Sequence, residues 1–482
     1  MALAMFLVLG ASAAGGRAGD LDQTFGSGGK VVVHLGPAGD DARAVVVQPD
    51  GKIVVGGRAD QTDGTTGSFG LARFNRDGTL DTTFGPGGTV RTPFGRDGEI
   101  QALALQKDDK IVAAGTTTSG GSAFALARYR SNGSLDISFG DGGLVTTGFT
   151  WGEAHGVVIQ PDGKIVVAGR TLGKFALARY WPDGSLDASF GSGGRVVSIE
   201  GQMGATSLVR QPDGKLIAAG GLYFDSRWQF GLVRFNTDGS LDGTFGSDGI
   251  AYAAVGDVWA QPNAMALQSD GKIVAAGVGE DTNGNLEWGA ARWDRDGTLD
   301  QTFGQNGVVV TEKANWAAAV AVQPNGKIVT AGDTYPRADA SLVTLVRYGR
   351  NGALDRSFGN SGIVTTTYAD DPLNYGSALA LQPDGKILVA GNSSGLPLTS
   401  IQVGVVRLVG DGTCVVPNVR RKPLASAKRA LTRAGCSPGR VSRRFSTSVK
   451  KGRIVSQRPG AGASLAASAR VDLVVSKGKR RR

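Results

Sequence analysis

Histidine and cysteine are both scarce in this 482-residue chain, which contains two of each. Zinc sites and catalytic triads that need several imidazoles are therefore disfavoured. A disulfide-dense scaffold is excluded for the same reason. Long hydrophobic runs are also missing, because no stretch approaches the roughly 18 apolar residues of a membrane-spanning helix. We therefore expect no transmembrane segment in the mature chain.

Acidic residues are almost absent from the C-terminal part. Residues 414–482 contain 19 Lys or Arg and one acid, Asp472, which gives a net charge of +18. The other 413 residues carry 33 basic and 41 acidic side chains, a net charge of −8. The chain therefore divides into a mildly acidic body and a strongly basic C-terminal module.

The first residues show the pattern of a secretory signal. A short apolar stretch ends at Gly10 and is followed by Ala11-Ser12-Ala13, which is typical of a cleavage site. We interpret residues 1–18 as a signal peptide and expect the protein to be secreted and associated with the cell wall.

Internal repeats dominate the body. The segment Leu-Asp-x-Ser/Thr-Phe-Gly, with small changes, begins at seven positions: Leu21, Leu80, Leu135, Leu186, Leu241, Leu299 and Leu354. A second marker, close to Gln-Pro-Asp-Gly-Lys-Ile, begins at Gln48, Gln106, Gln160, Gln211, Gln268, Gln323 and Gln382. Each repeat is predicted to form four short strands, and its Pro-Asp-Gly segment is typical of a β-hairpin turn. Radial repetition of such units predicts a β-propeller.

The strand count also predicts how the ring closes. The last repeat has three strands before Cys414, whereas an unassigned strand at Lys30–Leu35 precedes the first repeat. We therefore expect a mainly β fold with a seven-bladed propeller over residues 19–412, closed by the N-terminal strand. The repeats resemble the delta-60 repeat of secreted bacterial proteins, and this resemblance implies a propeller fold and a secreted context.

The C-terminal module, residues 413–478, has a strand, a helix and three further strands, followed by a basic tail at 479–482. Val416-Pro417-Asn418-Val419, Ala434-Gly435 and Ser456-Gln457-Arg458-Pro459 resemble the motifs of a PASTA domain. That resemblance implies a small α+β domain that recognises peptidoglycan. The exposed basic residues expected to bind the wall are Arg443, Arg444, Lys450, Lys451 and Arg453.

The two cysteines, Cys414 and Cys436, bracket the first strand and the helix of this module. In an exported chain such a pair favours a disulfide over metal ligands. Two unpaired thiols are the alternative.

Features repeated in every blade are interpreted as structural. Asp-Gly and Asn-Gly turns such as Asp294-x-Asp296-Gly297 resemble calcium loops, but a turn explains them without a metal. The lysine of the second marker, as in Lys52, is expected to be a solvated turn residue, with an anion-binding ring as the alternative. Pairs such as Arg73 and Asp81 are expected to be structural ion pairs.

Function is therefore expected where the repeats differ, on the face formed by the starts of the first strands and the turns between second and third strands. Aromatic rings there suit stacking on sugars or peptides, with packing between blades as the alternative. The candidate ligand-binding residues are Trp151, Trp228, Trp259, Trp288, Trp316 and Tyr375.

No catalytic residue, metal or cofactor is predicted. A glycosidase-like carboxylate pair could be drawn from Glu153, Asp225, Asp281 and Glu287, with His155 beside Glu153, but no pair stands out. The leading interpretation is a non-catalytic envelope-binding protein whose partners are peptidoglycan or an anionic wall polymer and an unknown glycan or protein. The alternatives are a wall-targeted polysaccharide hydrolase or lyase and an adhesion scaffold. Nucleic acid is not expected, because Phe445 is the only ring among the basic residues of the tail.

Overall fold

The computed structural model describes residues 17–60, 66–118, 121–198, 203–312, 314–395, 401–434, 436–466 and 469–479. Nearly all of the predicted signal peptide, residues 1–16, lies outside these ranges, as do residues 480–482 of the basic tail.

Residues 30–408 form seven four-stranded antiparallel sheets arranged as blades. The first strand along the chain is β1 (Lys30–Val33). Blades one and two contain β2 (Asp40–Val47), β3 (Ile53–Asp60), β4 (Gly67–Phe74), β5 (Thr89–Thr92), β6 (Asp97–Leu105), β7 (Ile111–Thr118), β8 (Ser122–Tyr129) and β9 (Leu144–Thr147). Blades three and four contain β10 (Glu153–Ile159), β11 (Ile165–Thr171), β12 (Lys174–Tyr180), β13 (Arg195–Val197), β14 (Ser207–Arg210), β15 (Leu216–Phe224), β16 (Arg227–Phe235) and β17 (Ile250–Ala253).

The remaining blades follow the same order. Blades five and six contain β18 (Trp259–Leu267), β19 (Ile273–Glu280), β20 (Leu286–Trp293), β21 (Val308–Thr311), β22 (Trp316–Val322), β23 (Ile328–Arg337), β24 (Ala340–Tyr348) and β25 (Ile363–Thr366). Blade seven contains β26 (Leu373–Leu381), β27 (Ile387–Ser394) and β28 (Ile401–Leu408). The first strands of successive blades contact one another, and β26 contacts β2. They form the inner wall of a closed ring.

The first hairpin of each blade follows directly from its sequence. In blade one the Gln48 N–H donates to the Lys52 carbonyl at 2.8 Å, and the Asp50 carboxylate accepts the Lys52 N–H at 3.0 Å. Gly51 has a φ of +86°, a conformation that a side chain disfavours. The Pro-Asp-Gly segment therefore fixes the turn that the sequence predicts.

Ring closure occurs through the N-terminal strand. Strand β1 pairs antiparallel with β28, in register from Lys30↔Val406 to Val33↔Val403, and supplies the fourth strand of blade seven. Asp22 of the first Leu-Asp repeat also pairs with Arg407 at 2.8 Å and with Lys386 at 2.9 Å. The predicted seven-bladed propeller and its mode of closure are thus confirmed.

A repeated cluster of side chains joins each blade to the next. In blade four the Asp242 carboxylate accepts from Arg234 Nε at 2.6 Å and from Lys215 Nζ at 2.7 Å, while the guanidinium lies 4.5 Å from the centre of the Phe245 ring. The same guanidinium donates to the Arg295 carbonyl of blade five at 2.7 Å. We call this arrangement the clamp.

Every blade contains the Arg–Asp–Lys cluster and the phenylalanine ring of the clamp. In six blades the guanidinium also donates to a carbonyl of the next blade, whereas Arg347 of blade six pairs with Asp411 at 3.1 Å. The Arg–Asp distances are 2.6–2.8 Å, which confirms the structural ion pairs predicted from the repeats. The marker lysines pair with the same aspartates at 2.7–3.3 Å. The expectation that these lysines are solvated turn residues is therefore wrong, because each neutralises part of a buried carboxylate.

The C-terminal module has its own core and its own sheet. Strands β30 (Ser437–Arg444), β33 (Arg470–Ser476) and β31 (Ile454–Arg458) form one sheet in the order β30-β33-β31, while β29 (Thr413–Val415) pairs with β32 (Ser464–Ala466). Helix α1 (Leu424–Arg433) packs its apolar side against this sheet. Within the described residues, no helix is both long and apolar enough to cross a membrane.

The disulfide predicted for the module is present. Cys414 and Cys436 are bonded, with their Cα atoms 4.8 Å apart. The bond ties β29 to the segment that follows the helix, and both sulfurs lie in the core of the module.

Candidate functional site

The central channel of the propeller opens into a cavity of about 780 Å³. Its lining comes from the inner strands of the seven blades, and from β23 and β27 of blades six and seven. Apolar side chains such as Val45, Leu103 and Leu379 line its deeper part, whereas polar and aromatic side chains lie toward the starts of the strands. The mouth of this cavity is the candidate site.

The mouth is lined by a ring of bulged residues. In six blades the inner strand shifts register by one residue at the same place, and the extra residue lines the cavity. In blade four Thr206 occupies the corresponding place, immediately before β14. This bulge ring comprises Arg43, Gln101, His155, Thr206, Asn263, Ala318 and Ser377.

The position of the ring explains why its members differ. A bulge frees one residue from the ladder and redirects its side chain, which is why bulges recur beside binding sites. Each member lies five residues before the glutamine of the second marker, as Arg43 does before Gln48. The bulge ring was not predicted from the sequence, although a variable residue at a constant distance from a repeated marker could have indicated it.

Blades one to three make one side of the mouth charged. Arg43 Nε donates to Glu99 Oε1 at 3.0 Å, and Arg170 Nε donates to Glu153 Oε2 at 2.9 Å. His155 Nε2 lies 3.6 Å from the same Glu153 oxygen. His155 and Arg170, both close to the Glu153 carboxylate, lower its pKa below the usual value. Burial instead raises the pKa of Glu99, although the charge of Arg43 opposes that shift. Both acids are paired with a basic side chain.

Blades six and seven make the other side aromatic. Trp316 begins β22, Tyr335 lies near the end of β23, and Tyr375 lies near the start of β26. All three line the channel cavity, and the Tyr335 and Tyr375 ring centres are 6.5 Å apart. Asp333, the cross-strand neighbour of Trp316, lies among them and is only 5% exposed. Burial raises the pKa of Asp333 to about 6.

The six predicted ligand-binding residues do not form one site. Trp316 and Tyr375 line the channel cavity, and Trp151, 65% exposed, lines an adjoining pocket of about 490 Å³. Trp228 is half-buried edge-on against Tyr223, and Trp259 is half-buried at the start of β18. Neither is among the residues that line these two cavities.

Trp288 requires a correction. Its side chain is fully buried, and its indole N–H donates to Thr330 Oγ1 of the next blade at 2.9 Å. It packs between blades five and six, so no ligand on the surface reaches it. The sequence places it in the variable segment between the second and third strands of its blade, but its side chain points toward the neighbouring blade.

The candidate acids on the variable face have different surroundings. The Asp281 carboxylate accepts hydrogen bonds from the Asn285 side chain at 2.9 Å and from the Asn285 and Asn283 backbone N–H groups at 2.8 Å, which lowers its pKa to about 2. Burial and the nearby Asp281 raise the pKa of Glu287. Asp225 lies at the tip of the β15–β16 turn with a φ of +50°. None of these three is among the residues lining the channel cavity.

The Asp-Gly turns are held by their own side chains. Asp296 Oδ1, for example, accepts from the Thr298 hydroxyl at 2.7 Å and from its N–H at 3.0 Å. The Asp296 carboxylate thus stabilises the turn by hydrogen bonds within the loop, as the sequence predicts. Among the described residues, no group of three or more His, Cys, Asp or Glu side chains is arranged to hold a metal.

The C-terminal module gathers basic residues at one end of its sheet. Arg443 and Arg444 end β30, and the Arg444 carbonyl accepts the Lys477 N–H at 2.8 Å. Lys450 and Lys451 precede β31 and, like the two arginines, are exposed. Arg453 is exposed too, but it donates to the Arg421 carbonyl at 2.9 Å.

The single acid of this module lies away from the basic end. Asp472 is four residues before the end of β33, about 13 Å along an extended strand. Its carboxylate accepts the Arg440 N–H at 2.6 Å. The basic end therefore presents a one-signed surface that would attract an anionic polymer.

Comparison with known proteins agrees with this division. A family model described as a domain of unknown function (DUF5122) beta-propeller matches seven segments that together cover half of the chain: 48–84, 106–139, 160–190, 211–245, 268–303, 323–358 and 382–413. The PASTA domain model matches residues 415–477. Over 70 residues the chain is 39% identical to a probable serine/threonine-protein kinase of Clostridium perfringens, which covers 14% of this chain and 10% of that protein. The chain thus spans about a tenth of the length of that relative.

Solved structures with similar folds are more distant. A catalytically inactive virginiamycin B lyase from Staphylococcus aureus with quinupristin has a TM-score of 0.44 and 12% identity, covering 79% of this chain and 99% of that chain. An ulvan lyase, a polysaccharide lyase, has a TM-score of 0.45 and 13% identity, covering 79% and 96%. Together the repeats, the closed ring of blades and the family matches lead to one conclusion: this chain belongs to the DUF5122 β-propeller family and carries a C-terminal PASTA domain.

Proposed function

We propose that this protein is an exported, non-catalytic binding protein of the bacterial cell envelope. Its PASTA domain binds peptidoglycan or an anionic wall polymer, and its propeller presents the channel mouth to a second ligand. The observation that carries the proposal is the PASTA match at residues 415–477, which coincides with a folded module whose basic side chains cluster at one end.

Other features support an extracellular role. The Cys414–Cys436 bond is of the kind that persists in oxidising compartments. The propeller has a net negative charge, so attraction to an anionic wall falls to the C-terminal module. One such module binds weakly unless a second contact adds avidity, and the propeller ligand would supply that contact.

The wall-binding half is tested by sedimentation of the full-length protein with purified peptidoglycan sacculi across a salt series. We compare the wild type with R443Q/R444Q/K450Q/K451Q, which removes four charges from the basic end. Arg453 is left in place because its side chain holds the Arg421 carbonyl. The matched control R91Q/K107Q/K174Q/R356Q removes four exposed charges from the propeller.

Retention lost in the PASTA variant but kept in the control supports the proposal. Equal retention of both variants would contradict a role for the basic end. Retention that disappears for every variant at moderate salt would show that wall binding is only non-specific charge attraction, because salt screens exposed charges.

Polysaccharide hydrolysis or lysis is the second candidate. His155 and Asp333, whose pKa is raised to about 6, line the same cavity, and both are residue types used for proton transfer. Turnover of a wall polysaccharide that is lost in both H155Q and D333N would favour this enzyme. Binding without turnover would favour the non-catalytic protein.

A further inference from the structure

One carboxylate at the channel mouth differs from the others. Asp333 is 5% exposed and lines the cavity, and burial raises its pKa to about 6. Among the ion pairs of the described residues, none includes Asp333. Glu99 and Glu153, which contact the lining residues Arg43 and His155, each pair with an arginine. The Tyr335 side chain hydrogen-bonds this carboxylate, but burial outweighs that contact. A buried carboxylate without a cation is costly, so it either takes up a proton or binds a cation from outside.

The register of the blades shows why no basic side chain pairs with Asp333. In blade three Glu153 is the cross-strand partner of Arg170, so acid and base neutralise each other within the blade. In blade six the same two positions are occupied by Trp316 and Asp333. An aromatic ring thus stands beside the acid where blade three provides an ion pair.

Aromatic side chains surround this carboxylate. Trp316 comes from β22, Tyr335 lies two residues after Asp333, and Tyr375 comes from blade seven. The Tyr335 and Tyr375 rings are inclined at 57° with centres 6.5 Å apart, so they form two walls of a corner. The Tyr335 N–H donates to Asn315 Oδ1 at 2.9 Å, which fixes its backbone. Tyr335 is itself 42% exposed, so the corner is open to solvent.

Aromatic faces and a carboxylate share one preference. The ring quadrupole attracts a cation over its face, and ammonium ligands are bound in aromatic cages for this reason. A buried carboxylate adds a charge-assisted hydrogen bond to any N–H of that cation. The corner therefore favours a protonated amine that can reach both the rings and the carboxylate.

We propose that the mouth of the propeller channel binds an alkylammonium group, with Asp333 as its counter-ion and Trp316, Tyr335 and Tyr375 as its aromatic walls. The proposal rests on the part of the proposed function that gives the propeller a ligand, and it names that ligand's chemistry. An amino sugar and a lysine-type amine of a peptide both carry this group. The polar residues of the bulge ring, such as Gln101, Asn263 and Ser377, face the remainder of the ligand across the cavity.

The test is calorimetric titration of the full-length protein with two matched pairs of probes. One pair is a glucosamine tetramer and its N-acetylated counterpart, and the other is Gly-Lys-Gly with an acetylated N-terminus and the same peptide acetylated at Nζ as well. Measurements are made at about pH 7, where a carboxyl with a pKa near 6 is mostly ionised and the amine of an amino sugar still carries part of its charge. The basic C-terminal module does not attract the cationic probes, but it is itself proposed to bind a wall glycan, so binding of any probe is assigned to the propeller only where D333N weakens it.

We expect at least one amine probe to bind about tenfold more tightly than its acetylated partner. Binding of the glucosamine tetramer alone identifies an amino sugar, and binding of Gly-Lys-Gly alone identifies a peptide amine. D333N should weaken binding about tenfold or more. D257N, the same change at an exposed acid of the same face, should leave it unchanged. Equal binding of the acetylated probe, or wild-type affinity in D333N, would overturn the proposal.

A second pair of variants protects the test against misfolding. Tyr335 is exposed, so Y335F keeps the ring and Y335L removes it without disturbing a core. Because Y335F also loses the hydroxyl that hydrogen-bonds Asp333, we expect a small change in its affinity, and we expect Y335L to bind about threefold more weakly than Y335F. Equal affinity of the two would contradict an aromatic wall.

Sedimentation of D333N with sacculi separates this inference from the proposed function. If D333N and the wild type sediment equally while no amine probe binds, the inference fails and wall binding stands. If amine probes bind and the wild type does not sediment, wall binding fails and the ligand site stands.

Discussion

Two kinds of buried aspartate coexist in this propeller. Burial raises the pKa of the clamp residue Asp242, but hydrogen bonds from Lys215, Thr244 and Arg234 outweigh it and hold that pKa well below its usual range. Asp333 has comparable burial and no basic partner among the described ion pairs, so its pKa rises to about 6. The first arrangement stabilises the fold. The second destabilises it, which is the pattern of a residue kept for a ligand.

Replacing Asp333 by Asn should therefore stabilise the protein. Above pH 6 the wild-type carboxylate is charged in both states but loses hydration on folding, and each pKa unit corresponds to about 1.4 kcal/mol. We expect D333N to raise the free energy of unfolding at pH 8 by about 1–3 kcal/mol. Chemical denaturation of the propeller transition measures it, with D257N as the unchanged control. A loss of stability in D333N would contradict this account.

The sequence did not reveal Asp333, for a physical reason. It stands in Gly332-Asp333-Thr334-Tyr335-Pro336, which reads locally as the end of a strand entering a turn. Its burial comes from the neighbouring blade, whose first strand approaches so closely that a Cβ on Gly376 would lie 2.6 Å from the Gly332 carbonyl. Contacts between blades leave no trace in local periodicity. Trp288 was misassigned for the same reason.

At the scale of the element, the clamp explains why the repeats could be recognised at all. One buried guanidinium satisfies an aspartate, covers a phenylalanine ring and donates to the next blade, as Arg234 does. The arginine, the aspartate and the phenylalanine must each keep their residue type, so the same residues recur in every blade. The fold class, the number of strands and the closure of the ring were predictable because they depend on these repeated residues. The bulge ring was not, because its side chains are free to differ.

Breaking one clamp should cost far more than breaking one turn. D242N removes the charge that Arg234 and Lys215 share and leaves a buried guanidinium without its counter-ion. We expect a loss of about 3 kcal/mol in the free energy of unfolding. D238N, at an exposed turn in the same blade, should change it little, because an amide oxygen can still accept from Ser240. Similar losses in the two variants would show that the clamp is not a buried ion pair in solution.

At the scale of the whole molecule, closure makes the first and last residues of the propeller one unit. Blade seven takes β1, Asp22 and Phe25 from the N-terminal segment, and Arg407 binds Asp22 across 385 positions of sequence. Blade one in turn packs against this composite blade. We therefore expect the ring to unfold cooperatively, so that the titration of any clamp changes the stability of the whole propeller.

The pH dependence of stability should consequently show a maximum near pH 5. Asp333 and Asp40 have folded-state pKa values raised to about 6, so stability rises as the pH falls from 7 and both take up protons. The seven clamp aspartates have lowered pKa values, to about 2 for Asp136, so their contribution is complete above about pH 4. It is lost as the pH falls toward 2.

Denaturant unfolding of the propeller from pH 8 to pH 2 measures this curve, with D333N as the diagnostic variant. D333N should make the side above pH 5 less steep, because one of the two titrating carboxyls is gone while Asp40 still titrates, and it should leave the acid side unchanged. D242N should instead lower the maximum free energy of unfolding and make the loss of stability below pH 4 smaller. His34, 3.3 Å from Asp40, is present in all three proteins and cancels in the comparison. A wild-type maximum above pH 7 would mean that Asp333 is not buried as an uncompensated acid, and it would remove the electrostatic basis for a cation at the channel mouth.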